Sequence, residues 1–428
     1  MSAVVTGIGV IAPGALNTTG YWASIRQGRH SIERVSLFET DGYPCTLAGE
    51  IQGFDAKQHL TGRMIAQTDR VTRLSLVAAD QAITDAGLDV SAYDPFEIGT
   101  YTASSCGGFE FGERELRQLW SKGGSHVSAY QSFAWFYAVN TGQISITHQL
   151  KGGSCAIVAD STGGLLALQE ASDRVPDELR VSVAGSVDSA LCSWAWGAQM
   201  STGLMSVESD PELAYRPFSD EPSGYVQGEG GAILVIEEES SARERGATPY
   251  GRLSGTGATF GSDSDDLAKA IEIALAQAGL DPADIDLVLP DAMGVASYDD
   301  AEIAAIVRVF GDRQVPMTVP KEHFGRLASG SGPLDVATAL LIMRHGTIPA
   351  TSTTISSRFS GMDFVTEPRD CSIDHVLVVS RGLPAFNCAT VVSRSSRHQP
   401  LKERTDDRFN DVDRRGTRRA VRVRREPT

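Results

Sequence analysis

The sequence predicts an α/β fold with largely covered sheets, and two observations carry the prediction. Short runs of β-branched and apolar residues alternate with longer runs that have apolar residues at helical spacing. Glycine is frequent, with 43 residues among 428, and many glycines stand beside the short apolar runs, as expected for strand-to-helix turns. Alternation of strands and helices is typical of sheets whose faces are covered by helices.

Six runs predict buried strands, and two predict amphipathic helices that end at a glycine. The first run follows the N-terminus without a basic segment, so we expect a buried strand rather than a secretory leader. The predicted strands are VVTGIGV (4–10), EIGTYTAS (97–104), VSVAGSV (181–187), GAILVIEE (231–238), DLVLPDAM (286–293) and HVLVVSRG (375–382). The predicted helices are TRLSLVAADQAITDAG (72–87) and DLAKAIEIALAQAG (266–279).

The two predicted helices point to an internal duplication. The first ends in DAGLD (85–89) and the second in QAGLD (277–281), 192 residues further on. In each case a turn, a strand and a glycine-containing loop follow. A repeat at close to half of the chain length predicts two similar α/β units.

Composition and charge exclude several classes of function. The net charge is −16, so the body of the protein should not bind nucleic acid through its overall field. The six cysteines are scattered without paired spacing, which favours a reduced, cytoplasmic protein without structural zinc. No apolar stretch approaches the roughly 20 residues that a membrane helix needs. Residues 396–428 are basic and almost without apolar periodicity, which predicts a disordered tail.

Three further segments identify a family. SFAWFYAVNTGQISI (132–146), GYVQGEGGAILVIE (224–237) and GPLDVATALLIMRHG (332–346) resemble the β-ketoacyl synthases of type II polyketide assembly. They resemble most closely the chain-length factor, the β subunit that pairs with the catalytic ketosynthase. The resemblance implies a duplicated thiolase-type fold of five layers, αβαβα. It also implies an N-terminal half over 1–250 and a C-terminal half over 251–395.

An active ketosynthase of this family uses one cysteine and two histidines, and the resemblance locates all three positions in this chain. The cysteine position falls on Ser161 in ADSTGGL, the first histidine on Met293 in DAMGVAS, and the second on Arg326 in KEHFGRL. Methionine donates no hydrogen bond, and arginine is a permanent cation that cannot act as an acid–base group. A serine hydroxyl without a base is inert. The sequence therefore predicts that the chain has lost condensing activity.

The cysteine position also departs from the usual chain-length factor pattern, V-A-E-Q-A-G-G-L. Asp160, Ser161 and Thr162 stand where the family has Glu, Gln and Ala. In the family the glutamine has been proposed to assist decarboxylation of malonyl-carrier protein, and serine lacks the amide for that role. His323, which lies in the second histidine motif, occupies a variable position and is not expected to act in catalysis.

The resemblance also bears on product length. In the family, a helix after a C-G-G-F turn lines the tunnel that holds the growing poly-β-ketone, and the motif stands here as CGGFEFGERELRQLW (106–120). The gating positions fall on Phe109, Gly112 and Leu116, whose spacings of three and four place them on one helical face. Bulkier residues at the second and third positions accompany shorter products. We therefore expect a roomy tunnel and a product of ten or more ketide units, unless these residues are ordinary core.

The implied partners follow from the same resemblance. The run QSFAWFYAVNTGQIS (131–145) matches the family's dimer contact region, so Phe133, Trp135 and Phe136 are expected at the partner interface. The partners would be a ketosynthase α subunit, in a heterodimer, and an acyl carrier protein loaded with malonyl or polyketide groups. No bound cofactor or metal is expected, because phosphopantetheine arrives on the carrier. Neither a membrane nor a nucleic acid is an expected partner.

Three alternatives stay open at this point. The first is an active condensing enzyme or an acyl hydrolase that uses Ser161, although the G-x-S-x-G motif is absent. The second is a purely structural subunit whose tunnel has collapsed. The third is nucleic-acid binding by the basic tail, which would make the affinity depend on salt.

Overall fold

The computed structural model describes residues 3–395 of the chain. The predicted basic tail, 396–428, lies outside the described residues. None of the helices between residues 3 and 395 combines the length and the apolar character that crossing a bilayer requires.

Strands and helices alternate along most of the described chain. The strands of the first half are β1 (Ala3–Ile11), β2 (Glu33–Arg34), β3 (Leu47–Ala48), β4 (Ile98–Ala103), β5 (Ser154–Ile157), β6 (Val181–Asp188) and β7 (Gly230–Glu238). Those of the second half are β8 (Arg252–Phe260), β9 (Leu287–Leu289), β10 (Pro316–Met317), β11 (Thr347–Ile348), β12 (Asp363–Phe364), β13 (Arg369–Asp370), β14 (His375–Gly382) and β15 (Phe386–Ser393). The helices are α1 (Thr18–Arg26), α2 (Gly62–Gln67), α3 (Arg70–Asp85), α4 (Phe109–Lys122), α5 (Gln131–Ala134), α6 (Val139–His148), α7 (Gly163–Arg174), α8 (Ser193–Met200), α9 (Glu239–Glu244), α10 (Ser264–Ala278), α11 (Ala296–Phe310) and α12 (Ser331–His345).

Two mixed sheets share one strand arrangement. The first has the order β1-β7-β6-β4-β5, in which β1 and β6 run antiparallel to β7 while β4 and β5 run parallel to β6. The second has the order β8-β15-β14-β9-β10-β12, with β8 and β14 antiparallel to β15 and the other three parallel to β14. The matching orders confirm the predicted duplication, whereas the boundary at residue 250 stays a prediction.

Helices lie between the two sheets and on their outer faces. α7 and α12 pack against each other and contact both sheets, α7 through β4 and β8 and α12 through β7 and β14. α12 is buried from Ser331 to Met343, as expected for a helix that apolar layers surround. α3 covers the first sheet, and α10 covers the second. The five layers αβαβα of the thiolase-type fold are therefore confirmed.

The two halves also share a packing contact, because the first strand of each contains a Gly-x-Gly pair that lies against a helix. A Cβ atom added to Gly9 of β1 would lie 1.9 Å from the carbonyl oxygen of Ala78 in α3. A Cβ atom added to Gly257 of β8 would lie 2.0 Å from the carbonyl oxygen of Ala270 in α10. Glycine is therefore required at both places, because each helix touches the backbone of its strand.

The predicted elements are confirmed, with one strand shorter than expected. The ends of the other five strands and of both helices differ from the prediction by no more than two residues. The strand predicted over 286–293 was wrong beyond Leu289, where β9 ends. The next backbone N–H groups, those of Asp291 and Ala292, donate to the Glu302 carboxylate at 2.7 and 2.9 Å instead of to a strand. Ala292 has a φ of +54°, which is incompatible with a strand.

Candidate functional site

The structure brings together the three positions at which the family's catalytic residues are replaced. Ser161 lies in a short turn directly before α7, Met293 in the loop after β9, and Arg326 before α12, and all three side chains are buried. They line one common cavity of about 20 Å³. This volume is close to the space that a single water molecule needs. No acyl chain fits there.

Arg326 fills this pocket and is held by a buried ion pair. Its Nη1 atom donates to Asp291 Oδ2 at 2.6 Å and to the Asp291 carbonyl oxygen at 3.1 Å. Its Nη2 atom donates to the carbonyl oxygen of Arg381 at 2.9 Å. Burial opposes the charge, but the Asp291 carboxylate raises the pKa of Arg326 above its usual value. A permanent cation therefore occupies the position of the second histidine.

Ser161 lacks a histidine that could act as its base, and the neighbouring Asp160 carboxylate accepts the Leu383 N–H instead. The Ser161 Oγ atom accepts a hydrogen bond from Arg326 Nη2 at 3.4 Å, and no histidine of the described residues lines the cavity. Met293 is buried in an apolar cluster that includes Trp196 and Tyr215. A guanidinium only donates hydrogen bonds and a thioether is at most a weak acceptor, so neither group can take the serine proton.

The end of β14 and the loop after it are tied to the pocket by two aspartates. Asp160 has a φ of +47°, unusual for a residue other than glycine, and its Oδ2 atom accepts a hydrogen bond from the Leu383 N–H at 2.6 Å. Asp291 Oδ1 accepts a hydrogen bond from the Arg381 N–H at 2.9 Å. The Arg381 guanidinium lies 5.1 Å from the centre of the Tyr298 ring. These contacts hold the loop against the filled pocket.

Two further buried carboxylates, which sequence reasoning missed, support the loop that carries Met293. Glu302 and Asp299 each accept two backbone N–H groups, at distances between 2.7 and 3.0 Å. Burial raises the pKa of both carboxyl groups to about 7. Asp291 was missed as well, although a signal for it existed. A buried Arg326 needs a counter-charge, and an aspartate stands two residues before Met293.

The three positions predicted to gate the tunnel lie on α4. Phe109 stacks on Trp194 of α8, with ring centres 4.6 Å apart and ring planes 9° apart. Gly112 is buried beside the same tryptophan: an added Cβ atom would lie 3.5 Å from Trp194 Cζ3 and 3.7 Å from Trp135 Cβ. Leu116 is half-buried. A methyl group therefore fits at position 112, whereas a larger side chain has to displace a tryptophan.

Glu113 fixes α8 against α4 and is a further residue that sequence reasoning missed. Its carboxylate accepts hydrogen bonds from Ser193 Oγ at 2.5 Å and from the Trp194 N–H at 2.9 Å. It also accepts a hydrogen bond from Arg117, one helical turn further along α4, at 2.7 Å. The tryptophan beside Gly112 is thus held by the helix that it faces.

The aromatic residues expected at a partner interface lie on an exposed apolar surface. Trp135 and Phe136 are 41% and 51% exposed. Phe133 and Phe136 line a surface groove of about 830 Å³. A wide exposed apolar surface of this kind marks an interaction site. Other apolar residues that line the groove are Met64, Ala138, Val139 and Ile146.

An edge strand lies next to this groove. β5 is the outermost strand of the first sheet, pairs only with β4 among the described strands, and is partly exposed along its length. α6, which lines the groove, packs against β5. An unpaired strand edge offers its backbone N–H and C=O groups to another chain. α6 thus connects the groove with the strand edge, and we call the two together the partner face.

Family models and relatives agree with this geometry. The model for the β-ketoacyl synthase N-terminal domain matches residues 2–242, and the model for the C-terminal domain matches residues 253–354. The chain is 48% identical to an actinorhodin polyketide putative β-ketoacyl synthase 2 of Streptomyces coelicolor, over 92% of this chain and 99% of that protein. It is 46% identical to the tetracenomycin polyketide synthase ketoacyl synthase β subunit of Streptomyces glaucescens, over 91% of this chain and 98% of that protein.

Solved structures share the fold at lower sequence identity. The ishigamide ketosynthase/chain length factor superposes with a TM-score of 0.84 at 22% identity, over 92% of this chain and 99% of that one. A β-ketoacyl synthase from Burkholderia phymatum superposes with a TM-score of 0.86 at 23% identity, with the same coverage.

The two family models cover most of the chain, and the curated relatives match over nearly their whole length. The chain therefore belongs to the β-ketoacyl synthase family and, within it, to the β subunits, or chain length factors, of type II polyketide synthases.

Proposed function

We propose that this protein is the non-condensing chain length factor of an aromatic type II polyketide synthase. It pairs with a ketosynthase α subunit that carries the cysteine and the two histidines. The observation that carries the proposal is the filled pocket: Ser161, Met293 and Arg326 line a cavity of only about 20 Å³, and Arg326 is held there by a buried ion pair with Asp291. A site without room for an acyl chain and without the cysteine and the two histidines cannot hold or extend such a chain.

The proposed heterodimer uses the partner face. Trp135 and Phe136 are half-exposed aromatic residues beside an apolar groove, and β5 leaves a sheet edge open next to them. Burial of aromatic side chains is the main source of binding free energy in stable interfaces. In the heterodimer, β5 can pair with the partner's sheet while the groove receives apolar side chains. Both interactions need a second chain.

The proposed role in product length rests on α4. Phe109 stacks on Trp194, Gly112 lies beside Trp194 and Trp135, and Leu116 follows one helical turn later. The poly-β-ketone made by the α subunit would extend along this face and stop when the space is full. Because glycine leaves room at position 112, we propose a product of ten or more ketide units.

The chemistry in this proposal belongs to the partners. An acyl carrier protein delivers malonyl units on its phosphopantetheine arm, and the α subunit joins them with release of carbon dioxide at each step. This chain itself needs no cofactor and no metal. The carrier and the α subunit are cytoplasmic in this proposal, and so is this chain.

Mass spectrometry of the intact subunits tests the proposal. The chain is co-expressed with the ketosynthase encoded beside it, and the purified complex is incubated with acyl- and malonyl-carrier protein. We expect the acyl mass on the ketosynthase alone. The Ser161→Ala variant serves as the matched control and should give the same distribution of mass and the same product.

Acylation of this chain that disappears in Ser161→Ala would overturn the proposal. It would make Ser161 a working nucleophile and favour the active condensing enzyme or the acyl hydrolase. Hydrolysis of acyl-carrier protein by this chain without any partner would point specifically to the hydrolase.

A further inference from the structure

A second cleft lies apart from the filled pocket and from α4. It has a volume of about 730 Å³, and four separate segments of the chain line it: 28–30, 212–221, 322–323 and 352–354. None of the residues discussed above as gating or replaced catalytic positions lines this cleft. Its charge and its hydrogen-bonding groups call for an explanation of their own.

His323 lines this cleft with an unpartnered ring nitrogen. The side chain is buried, with 3% of its surface exposed, and its Nε2 atom has no hydrogen-bond partner. Glu322 Oε1 lies 3.4 Å from that atom, but the Glu322 carboxylate already accepts the backbone N–H groups of Ser352 and Thr353. A buried polar atom without a partner is costly, so it usually marks a place that a ligand or water completes.

The ring is directed towards the cleft rather than into the core. A Cβ atom added to Gly28, which lines the cleft, would lie 3.9 Å from both Cε1 and Nε2 of His323. The ring of His30 approaches edge-on, with its centre 6.3 Å away. Burial, together with His30, lowers the pKa of His323 to about 4. At neutral pH the ring is therefore uncharged, and one of its nitrogen atoms is a hydrogen-bond acceptor.

Carboxylates dominate the charge around the cleft. Glu212, Asp220 and Glu221 line its exposed rim, and Glu322 lies in its wall. Arg216 is the one guanidinium among the lining residues, and it lies 3.9 Å from Glu221. Four carboxylates and one arginine leave an excess of negative charge, which favours a cation.

The cation that suits the cleft is organic rather than a metal ion. Between residues 3 and 395, no group of three or more His, Cys, Asp or Glu side chains has an arrangement that could hold a metal. The volume falls in the range of small-molecule sites, and hydroxyl groups of Ser219, Thr353 and Thr354 line the walls. We propose that this cleft binds a small organic amine, whose ammonium group lies among the rim carboxylates and donates a hydrogen bond to His323.

Isothermal titration calorimetry of the full-length chain tests this proposal, with spermidine as the probe at constant ionic strength. Saturable binding is expected. His323→Phe keeps a ring but removes the acceptor and should weaken binding at least about tenfold. Glu212→Gln removes one exposed rim charge and should weaken it about threefold. Glu367→Gln removes an exposed carboxylate that does not line the cleft and should leave the affinity unchanged.

Three outcomes would overturn the proposal. Equal weakening by Glu212→Gln and Glu367→Gln would mean that spermidine responds only to the overall negative charge. Unchanged affinity in His323→Phe, with an unchanged circular dichroism spectrum, would remove the imidazole from the site. Tighter binding of Zn²⁺ than of spermidine, lost in His323→Phe, would make the cleft a metal site. Because Glu212 is exposed, its variant should fold even if the His323 variant does not.

Discussion

The replaced catalytic pocket and the partner face differ in how they use space. In the pocket, side chains occupy nearly the whole volume, and the buried Arg326 and Asp291 satisfy each other at 2.6 Å. On the partner face, a groove of about 830 Å³ stays open, aromatic side chains are exposed, and the strand edge of β5 has no neighbour among the described strands. The replaced catalytic pocket is thus filled by side chains, whereas the partner face keeps an open apolar surface that a second chain can cover.

The difference shows that loss of activity here is more than the loss of three side chains. Arg326 lies beside Ser161 and Met293 at the start of α7 and is paired with the buried Asp291, so little space is left between them. The partner face is built from other segments of the chain, α2, α5, α6 and β5, none of which contains a replaced catalytic position.

In the replaced catalytic pocket, breaking the Arg326–Asp291 ion pair should have the largest effect on stability. Arg326→Met leaves the Asp291 carboxylate buried without a counter-charge, and we expect a loss of about 3–5 kcal/mol in the free energy of unfolding. Denaturation in urea measures it. Adding Asp291→Asn should recover part of the loss, because the charge left behind is then removed.

The exposed pair Arg34–Asp41 provides the control for that experiment. Its side chains are 58% and 88% exposed, so Arg34→Met should change the free energy of unfolding by less than about 1 kcal/mol. Equal effects of Arg34→Met and Arg326→Met would show that the buried pair has no special role in stability.

The next largest effect should be a pH-dependent change in the free energy of unfolding. It comes from His323, a buried residue that lies outside both regions. The folded pKa of His323, about 4, lies below the unfolded value of about 6.5, so the unfolded chain binds more protons between these values. The free energy of unfolding should therefore fall by up to about 3 kcal/mol as pH drops through this window. His323→Gln should remove this part of the decrease, which urea denaturation in amine-free buffers measures.

The comparison at pH 7.5 is the control, because His323 is neutral there in both states. Buried carboxyls with raised pKa values, such as Asp299 and Glu302, shift the pH slope in the opposite direction in both proteins. The difference between wild type and variant therefore isolates the histidine. Identical pH slopes for the two proteins would refute the assignment.

A charge introduced on the partner face should weaken binding of the ketosynthase α subunit. Phe136→Asp introduces a carboxylate beside the apolar groove, and we expect the affinity for the ketosynthase α subunit to fall about 100-fold. Sedimentation of mixtures at known concentrations measures it. Phe260→Asp is the matched control, since Phe260 is also an exposed aromatic residue, at 66%, but lies at the end of β8. Loss of affinity in both variants would indicate misfolding rather than a contact.

A graded series at position 112 sharpens the role of α4 with the smallest effect on the fold. An alanine Cβ atom would lie 3.5 Å from Trp194, an ordinary contact, so Gly112→Ala should leave product length unchanged. Gly112→Phe has to displace Trp194 or Trp135 and should shorten the main product by one or more ketide units. Mass spectrometry of the products measures both. The same product from both variants would support a structural subunit with a collapsed tunnel.

Much of the fold could be predicted because the period of the apolar residues differs between strands and helices. The strongly patterned strands and both helices were found within two residues of their ends. β9 was overestimated because the prediction ran on through Pro290 and Asp291 to the apolar Ala292 and Met293, whereas the strand ends at Leu289. The hydrogen bonds of Glu302 that cause the turn come from the following helix, which the local pattern does not show.

The site was predictable where motifs align and hidden where distant segments meet. Ser161, Met293 and Arg326 were located by motif alone, and they do share one pocket. The contact between Arg326 and Asp291 joins residues 35 positions apart, and Glu113 reaches α8 across 81 positions. Such pairs depend on the packing of whole elements. The cleft at His323 needs four segments together, which no local pattern describes.

The buried ion pair also has a consequence for the history of the protein. Restoring histidine at position 326 leaves Asp291 charged and enclosed, and changing Asp291 alone leaves Arg326 in the same condition. A change at position 326 towards the family's histidine thus lowers stability, while Ser161 and Met293 still prevent any gain in turnover. The ion pair therefore opposes recovery of catalysis by this subunit, whose chemistry stays with its partner.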